Sequence, residues 1–105
     1  MSAEISSDRV PAIDDEIFEL IARDCLPGGS RDNLKSASNL VDWRKTPLLL
    51  RALLTDAQTS GGLLLAVAPT RLNKVLALLK RNRTACAAII GKIIPPREPL
   101  LCINK

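Results

Sequence analysis

The sequence predicts an α+β fold: a small mixed sheet with helices packed on it and a βαβ unit in the second half. Three observations predict it. Two apolar runs read as strands: Leu63 to Val67, bounded by Gly and Pro in the pattern of a strand buried on both faces, and Cys86 to Ile94, ended by Pro95-Pro96. Between them, Leu72, Val75, Leu76 and Leu79 recur at helical spacing, one stripe of an amphipathic helix. Near the start, Asp14-Asp15-Glu16 opens a further helix. A strand, helix and strand within about 30 residues form a right-handed βαβ unit with parallel strands.

Taken in order, Ala3 to Ser6 reads as a short first strand. Asp14 is an N-cap, its carboxylate accepting free amides of the first turn, and Asp15 and Glu16 meet the positive end of the helix dipole. Ile13 is placed to pack on Phe18 as a hydrophobic staple, with Ile17, Leu20 and Ile21 continuing the buried stripe. Pro27-Gly28-Gly29 stops this helix. A capping serine and a short helical turn follow, then a polar connection from Lys35 to Lys45 that Trp43 tucks onto the domain. Pro47 begins a second helix, whose leucines from Leu48 to Leu54 cover more than one face and so predict heavy burial. Asp56 to Gly62 is a turn, and Thr70 caps the amphipathic helix. Pro95-Pro96 ends the second strand of the unit, and the LLCIN segment after Pro99 reads as a last strand.

The 105 residues, 47% hydrophobic with a mean hydropathy of +0.12, suffice for one core. The whole chain, 1–105, reads as a single domain. There is no His, which excludes Ser-His-Asp and Cys-His nucleophile pairs, histidine metal sites and imidazole acid–base chemistry. With only Phe18 and Trp43 as aromatics, the stacking platforms of single-strand nucleic-acid binders are missing. Residues 1–56 carry ten acids and seven bases, and residues 57–105 one acid and eight bases. A basic half attracts phosphates. The simpler reading is that Lys74, Lys80, Arg81 and Arg83 form the solvated side and end of one helix.

Cys25, Cys86 and Cys102 form no CxxC pair, so neither a zinc knuckle nor a redox pair is expected. Cys25 and Cys86 read as packed small residues, and an odd count of thiols fits a reducing cytosol. The polar start has no apolar signal core, and the run from Gly61 to Pro69 is far short of the roughly 20 residues that cross a bilayer. The expected location is the cytoplasm, with no membrane partner.

Two glycine segments are candidate sites. Exposed amides of Gly28, Gly29, Ser30 and Arg31 at a helix start suit an anion nest, to which Arg31 adds charge; a helix stop followed by a capped turn explains the same residues. Gly61 and Gly62 precede a strand and allow close backbone approach, while Thr59 and Ser60 satisfy turn amides. Lys92 interrupts the apolar alternation of its strand, as an exposed edge would.

LPGGSRDNL followed by LLTDAQTSGGLLLAV, the PTRLNKVLALL helix and the AAIIGKII strand resemble the C-terminal region of selenophosphate synthetase (selenide, water dikinase). VPAIDDEIFELIARDCLPGGSRDNL is similar to the family's segment entering that region, so the resemblance runs from about Ile5 to Pro96. The strand also resembles those of aminoimidazole ribotide synthetase and the hydrogenase-maturation dehydratase. The resemblance therefore implies an incomplete C-terminal domain of the aminoimidazole ribotide synthetase type. The family's Cys-Asp-Pro-Gln turn is here Thr55-Asp56-Ala57-Gln58. Its glycine-rich segment with catalytic Cys or selenocysteine, the nearby Lys and the aspartates for magnesium and ATP do not occur in these residues.

The resemblance implies a truncated portion of an enzyme that makes selenophosphate, AMP and phosphate from selenide, ATP and water, inactive by itself. No catalytic residue, metal ligand or cofactor is expected in this chain alone; ATP and Mg2+ belong to the complete enzyme. Thr59, Ser60, Gly61 and Gly62 are the residues expected to line its cleft. The expected partners are the N-terminal domain, a full-length homologue, or a second copy meeting through exposed leucines. The alternative is a stand-alone α+β module holding a phosphate-bearing partner with its basic half.

Overall fold

A computed structural model describes all 105 residues. The elements are β1 (Ser2–Ser6), α1 (Glu16–Ala22), α2 (Gly28–Ala37), β2 (Val41–Asp42), α3 (Leu48–Leu54), α4 (Leu72–Arg81), β3 (Gly91–Ile94) and β4 (Leu101–Asn104). Single 3-10 turns occupy Ser7–Arg9 and Pro69–Arg71. Four helices and a four-stranded mixed sheet make this an α+β chain.

The sheet order is β2-β4-β1-β3. β4 runs parallel to both β1 and β2, and β3 is antiparallel to β1. Alternation divides the sheet by chemistry. Register aligns Ala3 and Ile5 with Leu101 and Ile103, and Val41 with Leu101, forming an apolar face. One residue along, Lys92, Glu4, Cys102 and Asp42 form a polar row across all four strands. Gly91 faces Ile5 in the β1–β3 ladder, where an added Cβ would collide with the Glu4 carbonyl. This position requires glycine.

The buried apolar residues are Trp43, Ala52, Cys102 and Ile103, joined by buried Ser2, Ser7, Ser30 and Thr46. Hydroxyls close the body. Thr46 Oγ1 donates to the Ile103 carbonyl at 3.2 Å, and Arg51 Nε donates to the Thr46 carbonyl at 2.8 Å. The same guanidinium lies 5.6 Å from the Trp43 ring centroid, within cation–π range. Ser7 Oγ donates to the Asn104 carbonyl at 2.8 Å, and Ser2 Oγ accepts the Arg97 amide at 2.7 Å. Both ends of the chain are thereby tied into the sheet.

Several expectations hold. β1, the Asp14 helix, the tucked Trp43, the leucine helix and the last strand stand where the sequence put them, and Lys92 lies on an edge strand. Asp14 Oδ1 accepts the Glu16 amide at 3.0 Å, but the N-cap position falls one residue later than expected, at Asp15.

Others are corrected. Leu63 to Val67 is not a strand, and Leu63 and Leu64 are 92% and 73% exposed. The expected parallel βαβ unit is therefore absent, and β3 pairs antiparallel with β1 instead. A strand needs a neighbour for its amides, and none lies alongside this run. The second apolar run joins the sheet only from Gly91, where β1 begins to face it. Ile13 is fully exposed, so the staple does not form, and the α1 and α3 stripes are at most half-buried except at Ala52. α1 ends at Ala22, and Gly28-Gly29 open α2 rather than stopping α1. Pro47 sits one residue before α3, and Thr70 lies in the 3-10 turn, with no side-chain cap on α4. Cys25 and Cys86 are exposed; only Cys102 is buried.

Candidate functional site

The two glycine segments, far apart in sequence, meet in space. Gly29 has no side chain to hold α2 away from the turn after α3; a Cβ there would lie 3.3 Å from that of Ala57. This approach lets Ser30, the third residue of α2, reach Asp56. The buried Ser30 hydroxyl donates to Asp56 Oδ1 at 2.6 Å and accepts the Ala57 amide at 3.0 Å. Asn33, one helical turn further on, donates from Nδ2 to the Thr55 carbonyl at 3.1 Å. The Asp56 carboxylate thereby locks α2 to the turn.

Beyond the lock the chain emerges into solvent. Thr59, Ser60, Gly61 and Gly62 are all exposed. Gln58 Oε1 lies 3.0 Å from where a Gly61 Cβ would sit, so glycine lets Gln58 fold back across the turn. In the other segment Gly28 and Gly29 keep exposed backbone, while the Ser30 and Arg31 amides both donate to the Pro27 carbonyl. Arg31 is engaged by Asp24, at 2.9 Å to the carboxylate and 3.1 Å to the carbonyl. Hydrogen bonding from Arg31 and its charge hold the Asp24 carboxyl below its usual range.

A second cluster, not anticipated from spacing, surrounds the polar row of the sheet. Lys92 Nζ stands 3.1 Å from Glu4, and Arg97 Nη2 stands 3.0 Å from Asp42. Arg44 reaches Glu4 and Asp42 at 3.5 Å each and donates to Asn104 Oδ1 at 2.8 Å. The Lys92 hydrogen bond is the main cause that lowers the Glu4 pKa. Burial pushes the Asp42 carboxyl up, but the Arg44 amide, the Cys102 thiol and the Arg44 charge outweigh it and lower the pKa. Burial raises the pKa of the Cys102 thiol, which keeps it protonated and a poor nucleophile. β1 and β4 are visible as segments in the sequence, but β2 falls inside the expected polar connection, and which strands lie side by side is not visible.

The residues present do not fit a magnesium–nucleotide centre. No three His, Cys, Asp or Glu side chains converge in a metal-binding group, and Arg31, Arg44 and Arg97 are all paired with acids. What fold and site define is an α+β unit: two glycine segments locked by a serine–aspartate pair, with an exposed turn beside them.

Comparison with known proteins places that unit. No family model matches the chain. It is 33% identical over 105 residues to a selenide, water dikinase of Aliarcobacter butzleri, covering 99% of this chain and 30% of that protein. It is 38% identical over 86 residues to one of Pelobacter propionicus, covering 81% and 24%. A selenide, water dikinase of Haemophilus ducreyi is 44% identical over 106 residues, covering 97% and 29%. The chain belongs to the selenide, water dikinase family and spans less than a third of the length of these relatives.

Proposed function

We propose that this chain is the C-terminal portion of a selenophosphate synthetase and supplies one wall of a cleft whose chemistry resides in other polypeptide. The family reaction in which it would take part converts selenide, ATP and water to selenophosphate, AMP and phosphate in the cytoplasm. The observation that carries this reading is the near-complete coverage of the chain by relatives named selenide, water dikinase, of which it matches only a part. The lock geometry supports it. Ser30 and Asp56 hold α2 against the turn, so Thr59, Ser60, Gly61 and Gly62 project from a fixed base, where a glycine backbone tolerates close approach. ATP and magnesium would be held by the N-terminal domain or a full-length homologue.

The test is a chimera in which this chain replaces the matching segment of the Haemophilus ducreyi relative. ATP-dependent selenophosphate formation should survive the exchange and fall when Gly61→Val and Gly62→Val are added, while the isolated chain neither forms selenophosphate nor binds ATP at micromolar concentration. Selenophosphate formation or tight ATP binding by the isolated chain would overturn the proposal, as would a folded but inactive chimera.

A further inference from the structure

The first three helices meet around a hollow. α3 packs on both α1 and α2, and a cleft of about 600 Å³ opens between them, inside the roughly 300–1,000 Å³ range of small-molecule sites. Ile21 of α1, Leu34 of α2, and Leu48 and Leu49 of α3 supply aliphatic walls, and no aromatic ring lines the space. Its mouth is held in shape. Asp24, in the left-handed region at a φ of 63°, turns the chain between α1 and α2. Arg31 clasps both the carboxylate and the carbonyl of Asp24.

Charge in the cleft is unbalanced. Arg31, Lys35 and Arg51 line it against one acid, Asp24, and Asp24 meets only Arg31. No carboxylate stands within ion-pair range of Lys35 or Arg51. Arg51 is pinned through Nε to the Thr46 carbonyl and lies over the Trp43 ring, which leaves both Nη groups unbonded. A guanidinium fixed in this way offers an end-on pair of donors, the geometry that receives an oxyanion.

We propose that this cleft binds a small amphiphile, its aliphatic chain against the leucine walls and its oxyanion head at Lys35 and Arg51. The inference is independent of the reading above. Two surplus positive charges beside apolar walls select an anionic head over an uncharged or cationic one. Walls without an aromatic ring suit an alkyl chain and give a nucleobase nothing to stack on.

Trp43 is the only tryptophan and lies beneath Arg51, so its fluorescence reports the arrival of the head group. Titration of the full chain with decanoate and with decyl phosphate, below micelle formation, should give a saturable change at one ligand per chain. The tighter of the two identifies the head as carboxylate or phosphate. Decanol and decyltrimethylammonium should bind at least tenfold more weakly. Lys35→Gln, at an exposed side chain, should weaken binding at least threefold. Leu48→Asp, at a residue 70% exposed, should weaken it at least tenfold, and both variants should keep the melting temperature of the free chain. The proposal is overturned by a response to neither anion, by one that fails to saturate, by equal binding of decanol, or by full affinity in either variant. A Trp43 change that follows protein concentration without ligand would also overturn it, since a second copy would then fill the cleft.

Discussion

The sheet with α1 to α3 and the 57–90 segment are built from similarly apolar sequence, yet they stand in opposite states. In the first, Ile103 and Trp43 are buried and tied down by Thr46 and Arg51. In the second, Leu63 and Leu64 lie in solvent, and α4 has no buried residue. An amphipathic helix and an apolar run are only offers of surface. Burial comes when a neighbour accepts the offer, and in this chain neighbours are assigned by contacts such as β1 with β4, nearly the whole sequence apart.

The comparison can be broken by substitution. Ile103→Ala should cost about 2–5 kcal/mol in denaturant unfolding, as for a filled core site; a cost under about 1 kcal/mol would deny the body its core. Ser30→Ala leaves Asp56 and the Ala57 amide without their shared partner and should cost about 1–3 kcal/mol. Acid sharpens the contrast next. Glu4, Asp24 and Asp42 have lowered carboxyl pKa values in the folded chain. Their stabilisation is complete above the ordinary carboxylate range and is lost as pH falls through those lowered values. Glu4→Gln should therefore flatten the acid limb of a stability–pH profile, and an unchanged limb would contradict the ion pair. The smallest effect is expected in the 57–90 segment: Leu76→Ala, at a half-exposed site, should cost less than about 1 kcal/mol, because little apolar area returns to water.

Much of the fold was legible locally. Acidic and proline starts and apolar periodicity marked α1, α3 and α4 to within a few residues, although the cap expected at Thr70 does not form, and β1 and β4 followed from short apolar or alternating stretches. The Ser30–Asp56 lock joins residues 26 apart, and no spacing rule links PGGS to TDAQ. The polar row was hidden for the same reason: Glu4, Lys92, Cys102 and Asp42 are each unremarkable in their own segments. The Leu63–Val67 run shows the converse. Its composition is that of a buried strand, but composition does not report whether a partner edge is present. Of the candidate site, the glycine positions were visible, while the inward turn of Ser30 and the capture of Arg31 by Asp24 were not.

Amide hydrogen exchange on dilute chain, resolved by residue, tests the division between the two regions most directly. The account predicts slow exchange across β1 and β4 and exchange at the rate of an unstructured peptide from Thr59 to Val67. Protection of Leu63–Val67 equal to that of β1 in the monomer would contradict it.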